Sequence, residues 1–358
     1  MRIWVMTQEY SSHIIGGLGV VATQLSRCLG EFAGTDVVVL TTGKTWSIST
    51  KTLPGVIRIP RSWLQEPQKV WKKLKLAGLH LPELIHIHSV QYGTLVAFFK
   101  KLKVPVLYTC HSLICLETSK KRTAMEKEQI RLFNLANKVV VPSGWMKSEI
   151  SKAYPHITGK TIVIQNGVKP FPKKISSPPF YKLAFIGRIL PSKGIRQFIE
   201  ALPMLINANP LVTLDIYGSG TKKYMDRLKT VVKEHQLESK VFWHGFIKHE
   251  ELREFLPTLG AVVMPSTGES FGLVALETLA SGVPLVSTCV GGMDEFVSPH
   301  VAEIIQGVDS TSIASAIYRM WSRPDVTILR VENGLVLARQ YTWKTIAEEY
   351  RKVMGGMI

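Results

Sequence analysis

Short apolar runs alternate with amphipathic segments along most of the chain. Polar or glycine-rich residues follow the carboxyl ends of these runs, which include Ile3–Thr7, Val37–Leu40, Leu84–Ser89, Val104–Thr109, Leu183–Ile186 and Ala261–Met264. Between them, apolar residues recur at helical spacing, as in Ile195–Ile206 and Tyr224–His235. Buried parallel strands produce such runs, and the helices that cover a sheet produce such spacing. The pattern therefore predicts an α/β protein in which strands and helices alternate.

One stretch in the middle of the chain has no periodicity. Residues 169–180 read KPFPKKISSPPF, with four prolines and two serines, a composition typical of a linker. The chain has 358 residues, which is long for one hydrophobic core and sufficient for two. We therefore expect a Rossmann-like domain over residues 1–168, a linker over 169–180 and a second Rossmann-like domain over 181–340. A last amphipathic helix is expected within residues 341–358.

The most informative segment begins where the apolar run Ala261–Met264 ends. A Ser/Thr/Gly loop follows, and then apolar residues at helical spacing that end at Gly282. Phe271–Leu273 is therefore expected where a loop becomes a helix. The free backbone N–H groups and the dipole of a helix N-terminus form an anion site.

Two carboxylates flank this predicted helix start. Glu269 precedes it, and Glu277 follows eight positions later, which we take to be about two turns into the helix. A carboxylate only accepts hydrogen bonds and can hold two adjacent hydroxyl groups. The arrangement predicts a site for a sugar–phosphate–phosphate–ribose ligand, and the alternative is a charged first turn with a surface glutamate.

A basic loop follows the first apolar run of the second domain. In Gly187–Gly194, Arg188 and Lys193 lie five positions apart between two glycines. Arginine with its planar fork and lysine as a point charge can together hold a diphosphate. The alternative is two solvated charges at the start of a helix.

Another glycine-rich loop, Gly16-Gly17-Leu18-Gly19, follows the first apolar run of the chain. It fits the dinucleotide fingerprint formally, so a dehydrogenase is one alternative. However, about nine residues separate the run from the glycines, whereas the fingerprint needs a tight turn. Asp36 also lies at the start of the next run rather than at its end. We interpret Gly16 and Gly17 as a loop that approaches a diphosphate-sugar.

Histidines follow two other runs of the first domain, His88 and His111. Ligands of open α/β sheets collect at the carboxyl ends of the strands, so both histidines are expected at one edge. Histidine donates hydrogen bonds and titrates near neutrality. A structural role is the alternative for either residue.

The segment from Glu269 to Glu277 resembles the Glu-x7-Glu signature of family GT4, the retaining glycosyltransferases with the GT-B fold. Glycogen synthase-like and sucrose synthase-like members are more distantly similar. The resemblance implies that Glu269 contacts the donor hexose and that Glu277 contacts the ribose of the nucleotide. It also assigns the Gly-Arg…Lys-Gly loop to the donor diphosphate and places His111 against the donor sugar.

The residues that carry catalysis are therefore expected to be His111, Arg188, Lys193 and Glu269. Those expected to bind the donor are Gly16, Gly17, Gly218, Phe246, Ser270, Phe271, Gly272, Leu273 and Glu277. The fold implied by the resemblance is GT-B, with two doubly wound Rossmann-like domains facing across a cleft. Its terminal helix crosses back to pack on the first domain. Two departures stand out: Ile14 lies where glycogen synthase-like enzymes often have a lysine, and Lys169 lies where the family has an aspartate.

The net charge of the chain indicates an acidic membrane surface as a second possible partner. Lysine and arginine number 44 against 27 acidic residues, a formal net charge of +17. Clusters in the first half comprise Lys69, Lys72, Lys73, Lys75, Lys100, Lys101, Lys103, Lys120, Lys121 and Arg122. Apolar residues lie between them, namely Trp71, Leu74, Leu76, Phe98 and Phe99. Two segments could thus form basic amphipathic helices on an acidic membrane, or ordinary solvated helices.

The remaining expectations concern compartment and chemistry. Scattered cysteines and the absence of a signal-peptide pattern at Met1–Ile3 indicate a cytoplasmic protein, peripheral on the inner face of the membrane if the basic helices bind lipid. No Asp-x-Asp motif or Cys/His cluster is present, so we expect no metal and no cofactor.

The predicted reaction transfers a hexose from a UDP-linked sugar to a hydroxyl group of an acceptor. The acceptor is expected to be a saccharide, a lipid-linked molecule or a small molecule. A sugar-nucleotide epimerase and a non-enzymatic basic module are the alternatives. Nucleic acid is not an expected partner.

Overall fold

The computed structural model describes residues 1–49, 54–117, 123–171 and 180–358. The chain divides into two compact units. The first comprises Met1–Gly167 and Trp343–Ile358, and the second comprises Val168–Thr342. Each unit is an α/β structure with its own sheet and its own hydrophobic core.

The first unit contains a sheet whose described strands run in the order β3-β4-β2-β1-β5-β6-β7-β8. These strands are β1 (Arg2–Met6), β2 (Asp36–Gly43), β3 (Ser47–Ser49), β4 (Gly55–Pro60), β5 (Leu84–Ile87), β6 (Val106–Thr109), β7 (Lys138–Val141) and β8 (Thr161–Val163). All neighbouring pairs are parallel except β3 with β4. The helices that connect them are α1 (Gly17–Gly30), α2 (Pro67–Leu76), α3 (Gly93–Lys101), α4 (Ile114–Glu117), α5 (Ala124–Leu135) and α6 (Gly144–Ala153).

The second unit contains a parallel sheet in the order β11-β10-β9-β12-β13-β14. Its strands are β9 (Lys182–Ile186), β10 (Thr213–Tyr217), β11 (Val241–Gly245), β12 (Ala261–Met264), β13 (Leu285–Ser287) and β14 (Glu303–Ile304). Its helices are α7 (Ile195–Ala208), α8 (Lys222–Glu234), α9 (His249–Phe255), α10 (Leu273–Ser281), α11 (Ser310–Ser322) and α12 (Pro324–Ala338).

Both sheets reverse their strand order at one point. In the first unit the chain builds outward from β1 to β4 and then restarts on the other side of β1 with β5. In the second unit it builds from β9 to β11 and restarts beside β9 with β12. Ligands of doubly wound sheets bind beyond the carboxyl ends of the strands at such switch points. The loops after β1 and β5, and those after β9 and β12, are therefore the places to look for a site.

The last helix, α13 (Trp343–Gly355), belongs to the first unit. It packs against α1, and Trp343, Ile346, Tyr350 and Met354 are buried. The expectation that this segment starts at residue 341 needs a correction. Tyr341 lies in the core of the second unit, with its ring 5.9 Å from that of Phe296, and Val168 lies in the same core.

The described ends of the predicted linker are attached to the second unit. The guanidinium of Arg253 donates to the carbonyl of Pro170 and lies 5.2 Å from the ring centre of Phe171. At the other end, the indole N–H of Trp321 donates to the carbonyl of Phe180 at 3.1 Å. Residues 172–179 lie outside the described residues.

The two basic amphipathic segments correspond to α2 and α3. Leu74 and Phe99 are buried in the core of the first unit, and Trp71 packs on Phe99 with a ring distance of 5.8 Å. Leu76 alone of the apolar residues named for them is strongly exposed, at 74%. Because the apolar side chains other than Leu76 pack inside the unit, contact with a membrane would depend on the lysines of α2 and α3, and it stays a prediction. The third basic cluster, Lys120–Arg122, lies outside the described residues. In the described part of the chain, no helix is both long enough and apolar enough to span a bilayer.

Gly167, the last residue before the chain enters the second unit, packs directly on α13. A Cβ atom added there would lie 2.8 Å from Cδ2 and 2.9 Å from the backbone nitrogen of Trp343. Backbone atoms cannot move aside as a flexible side chain can. We expect Gly167→Ala to lower the free energy of unfolding by about 1–3 kcal/mol, as overpacking does, measured by urea denaturation followed by tryptophan fluorescence.

Gly159→Ala is the matched control, because an added Cβ there meets no atom within 4 Å. It should leave the unfolding midpoint near that of the wild type. Equal midpoints for the two variants would mean that Gly167 does not fix the position of α13.

Candidate active site

The switch point of the second unit brings together the two loops that carry most of the predicted site. The loop Gly187–Gly194 follows β9, and the loop Pro265–Gly272 follows β12. Both the backbone N–H and the hydroxyl of Thr267 donate to the carbonyl of Ser192, at 2.8 and 3.2 Å. Because β9 and β12 are neighbours in the sheet, residues 75 positions apart meet at this edge.

An ion pair joins the same two loops. The ammonium of Lys193 lies 2.5 Å from Oε1 of Glu269, and the hydroxyl of Ser266 donates to the same oxygen at 3.1 Å. Both charged side chains are mostly buried, with 16% and 14% of their surface exposed. A partly desolvated charge needs a partner, and each residue supplies one for the other. Two of the predicted catalytic residues are therefore in direct contact.

Glycines allow these loops to approach so closely. Gly194 has φ +67° and lies against the carbonyl of Pro265, and Gly291 has φ +63° and lies against the carbonyl of Glu269. The N–H of Gly292 then donates to that Glu269 carbonyl at 2.8 Å. The backbone of Glu269 is thus held from the side of Gly291 and Gly292, while its side chain points to Lys193.

Helix α10 begins at Leu273, as predicted, with Gly272 in the left-handed region at φ +91° as its N-cap. No side chain caps this end, so the first backbone N–H groups of α10 remain available to an anion. Phe271, predicted to bind the donor, is only 3% exposed, and its ring packs 5.1 Å from that of Phe296. Its side chain belongs to the core, so only its backbone is available to a ligand. Ser270 and Leu273 beside it are half-buried.

Glu277 lies closer to the helix start than its spacing from Glu269 suggested. Because Glu269 precedes α10, Glu277 is the fifth residue of the helix, just over one turn in rather than two. Its side chain is 4% exposed, and Oε1 lies 2.6 Å from Nε2 of His249, the first residue of α9. His249 was not predicted, because nothing in the sequence links two residues 28 positions apart on different helices.

Arg188 and Gly218 lie at the carboxyl ends of the neighbouring strands β9 and β10, beside the end of β11. Gly218 has φ +148° and lies against the carbonyl of Gly187, and its N–H donates to the carbonyl of Gly245 at 2.7 Å. A side chain at position 218 would collide with the loop that carries Arg188. Arg188 itself is exposed at the same edge of the sheet as Lys193.

Phe246, predicted to border the nucleobase, follows β11 and is 48% exposed. Two positions before Phe246, His244 stacks on Tyr217 with ring centres 4.3 Å apart, and its Nε2 contacts Oδ1 of Asp215 at 2.6 Å. Burial raises the pKa of Tyr217 to about 12, and the carboxylate of Asp215 adds to this effect. Tyr217 therefore stays neutral at physiological pH.

The predicted histidines of the first unit lie at its own switch point. His88 follows β5 and His111 follows β6, and Nδ1 of His88 lies 2.9 Å from Nε2 of His111. Burial lowers the pKa of His111 to about 3 and holds that of His88 well below its ordinary value. Both rings are therefore neutral at pH 7. Among the described residues, no group of three His, Cys, Asp or Glu side chains could hold a metal ion.

The glycine loop of the first unit is held by an acidic residue that was not predicted. Oε2 of Glu9 accepts hydrogen bonds from the N–H groups of Ile15 and Gly16, both at 2.9 Å. Gly16 is the N-cap of α1, which starts at Gly17, and a Cβ added to Gly16 would meet no atom within 4 Å. The open space beside Gly16 suits a ligand, but a phosphate that binds its N–H must displace the Glu9 carboxylate.

Each unit carries its own set of the predicted site residues. The second unit offers cations and helix N–H groups for a diphosphate, with a carboxylate on either side of them. The first unit offers a neutral histidine and a glycine loop.

Two family sequence profiles match nearly the whole chain. The profile described as "Glycosyl transferases group 1" matches residues 169–354, and "Glycosyltransferase Family 4" matches residues 15–170. A glycogen synthase of Mycobacterium tuberculosis is 28% identical, and the alignment covers 97% of this chain and 92% of that protein.

Solved structures agree with the architecture. Sucrose-phosphate synthase from Thermosynechococcus elongatus superimposes with a TM-score of 0.80 at 22% identity, covering 99% of both chains. HepE from Anabaena, solved with UDP-glucose, gives a TM-score of 0.79 at 19% identity, covering 99% of this chain and 100% of HepE. These similarities confirm the GT-B fold expected from the sequence. The profile that matches more than half of its residues, with the second profile over residues 15–170, shows that this chain belongs to the glycosyl transferases group 1 family and is a GT4-type glycosyltransferase.

Proposed function

We propose that this enzyme transfers a hexose from a UDP-linked sugar to an acceptor hydroxyl, with retention at the anomeric carbon and without a metal ion. The observation that carries the proposal is the Lys193–Glu269 pair beside the uncapped start of α10. It places a cation, a carboxylate and free N–H groups at one switch point.

The leaving group is the diphosphate, whose negative charge grows as the glycosidic C–O bond breaks. Lys193, Arg188 and the first N–H groups of α10 are the groups that would stabilise this charge. Lys193 is held by its contact with Glu269, and the N–H groups are held by the backbone of α10, so little reorganisation of these groups is needed during the reaction. Glu269 would accept hydrogen bonds from the hydroxyl groups of the hexose.

Glu277 would hold the other end of the donor. One of its oxygens is engaged by His249, which leaves the second oxygen to accept from the ribose hydroxyls. Phe246 and the loop at Gly218 would border the base. Retention without an enzyme nucleophile requires that the acceptor attack from the face of the leaving group. The diphosphate oxygen would then take the acceptor proton.

The base and the acceptor are supported less directly. UDP is proposed because HepE, with a similar fold, was solved with UDP-glucose. The acceptor would be a saccharide, a lipid-linked sugar or a small molecule with a free hydroxyl. For Gly16, Gly17 and His111 of the first unit, contact with the donor is what the resemblance to family GT4 implies.

We expect Glu269→Ala and Lys193→Ala each to lower kcat/KM at least tenfold, which corresponds to about 1.4 kcal/mol in the barrier. Each change removes one partner of a mostly buried ion pair that would contact the donor. The measurement is initial-rate transfer from the nucleotide sugar at fixed acceptor concentration.

Glu200→Ala is the matched control, because Glu200 also pairs with a cation, Arg196 at 2.8 Å, on the surface of the same unit. Exposed pairs contribute little, so its rate should match that of the wild type. Full activity in both site variants, with folding verified by circular dichroism, would refute this assignment of the site.

A thermal-shift panel of UDP-glucose, UDP-N-acetylglucosamine, ADP-glucose and GDP-mannose should single out one UDP-linked sugar. A ligand at a hundredfold excess over its Kd stabilises the folded state by about 2.7 kcal/mol. Glu277→Ala should remove most of the shift, because it deletes the proposed ribose contact. A larger shift with ADP-glucose or GDP-mannose would refute the UDP assignment.

The anomeric configuration of the product is the third test. With an α-linked donor we expect an α-linked product by proton NMR, formed at the same rate in excess EDTA. A β-linked product would exclude retention, and loss of transfer in EDTA that added Mg²⁺ restores would exclude metal independence.

A further inference from the structure

His88 and His111 share a single proton between the nitrogens that face each other. Nδ1 of His88 and Nε2 of His111 are 2.9 Å apart, a hydrogen-bond distance, and the rings lie nearly parallel at 20°. Since both imidazoles are neutral, each carries one N–H and one lone pair. Either His88 donates to His111 or the reverse.

The buried nitrogen of His88 decides between these two arrangements. His88 is 2% exposed, and within the described residues its Nε2 is buried and has no hydrogen-bond partner. If His111 donated, the proton of His88 would sit on this Nε2 as an unpaired buried N–H. Orphaned buried N–H groups are rarer in proteins than unsatisfied acceptors. The proton of His88 therefore belongs on Nδ1, with a bare lone pair on Nε2.

The tautomer of His111 follows from that of His88. Nε2 of His111 accepts from His88, so the one proton of the neutral His111 ring is on Nδ1. In the described structure Nδ1 is not among the buried atoms without a partner, and His111 is half-buried. His111 follows β6 at the carboxyl edge of the sheet, the same edge as the loop of Gly16 and Gly17 after β1.

The neighbours of this pair do not reverse the assignment. The ring of His86 lies 4.2 Å from that of His88, and burial lowers the pKa of His86 to about 3, so it adds no charge. Its Nε2 is engaged by the hydroxyl of Thr109 at 2.8 Å, which in turn contacts the hydroxyl of Tyr350 on α13 at 3.1 Å. These hydrogen bonds hold His86 in place, and His86 makes no hydrogen bond to His88 or His111 among those described.

We propose that His88 is a positioning residue that holds His111 in the Nδ1–H tautomer, so that His111 acts as a hydrogen-bond donor to the sugar and not as a general base. The lone pair that a base would need is already occupied by the proton of His88. The proposal rests on the proposed function in taking His111 to face the donor sugar. The new elements are that His111 donates this hydrogen bond to the sugar and that His88 determines which nitrogen of His111 carries the proton.

The first test reads the tautomer in the full-length wild-type enzyme, labelled with ¹⁵N-histidine. Long-range ¹H–¹⁵N correlation spectra distinguish a protonated from a bare ring nitrogen, and the signals of His111 are those lost in His111→Asn. We expect the proton on Nδ1 of His111. A proton on Nε2 would overturn the proposal, whatever the activity.

The second test compares two replacements of His88. In His88→Asp the carboxylate only accepts, so His111 must carry a proton on Nε2, either as the Nε2–H tautomer or as an imidazolium that the carboxylate stabilises. The ¹H–¹⁵N spectrum of this variant distinguishes the two forms, and the comparison of rates is made at a pH where the Nε2–H tautomer is present. In His88→Asn the amide N–H can donate as the imidazole did. We expect the Asn variant to keep the Nδ1–H form of His111 and to retain a kcat/KM at least tenfold above that of the Asp variant.

Equal transfer by the two variants, with different tautomers, would overturn the proposal. If the Asp variant fails to fold, the wild-type spectrum still decides. Failure of the proposed function is distinguishable, because then the wild type would transfer no sugar from any donor while the tautomer of His111 would still be readable.

Discussion

The contact between Lys193 and Glu269 connects the chemistry of this enzyme to its topology. The two residues are 76 positions apart, yet they meet because β9 and β12 are neighbours at the point where the strand order reverses. Each would be a costly buried charge alone, and together they are stable in a half-buried site. Two glycines make this close approach possible. Gly194 lies against the carbonyl of Pro265 and Gly291 against the carbonyl of Glu269, where a side chain would collide with the backbone.

Much of the fold could be predicted from the sequence, because buried parallel strands and amphipathic helices leave clear periodicities. The strands predicted at Ala261–Met264 and Leu183–Ile186 and the start of α10 at Leu273 agree with the structure. Elements without such a pattern could not be found: β14 has two residues, β3 is an exposed edge strand, and α12 buries only Thr327, Gly334 and Ala338. Helix α11 was also not assigned, although Ile313, Ile317 and Met320 lie at helical spacing and are buried. The boundary at Tyr341 was missed because its aromatic ring continues the helical stripe of α13 while packing in the other unit's core.

The candidate site shows a similar division. The motif residues were placed at strand ends, but their partners were not predictable. His249 meets Glu277 although the two residues lie on different helices 28 positions apart, and Glu9 reaches Gly16 because the loop after β1 folds back on itself. Phe271 illustrates the converse, since a residue inside a signature can serve the core rather than the ligand. The position of Glu277 in its helix was also wrong, because the eight-residue spacing was counted from Glu269, which lies before the first residue of α10.

The position of α13 has a consequence for how the protein is made. The first unit buries Trp343, Tyr350 and Met354 of α13, which packs on α1, although most of its residues precede Gly167. A ribosome must therefore synthesise the entire second unit before the first can be completed. Until then, the surface of α1 that receives this helix remains uncovered in the nascent polypeptide, and that interval is when the emerging chain most needs protection from aggregation.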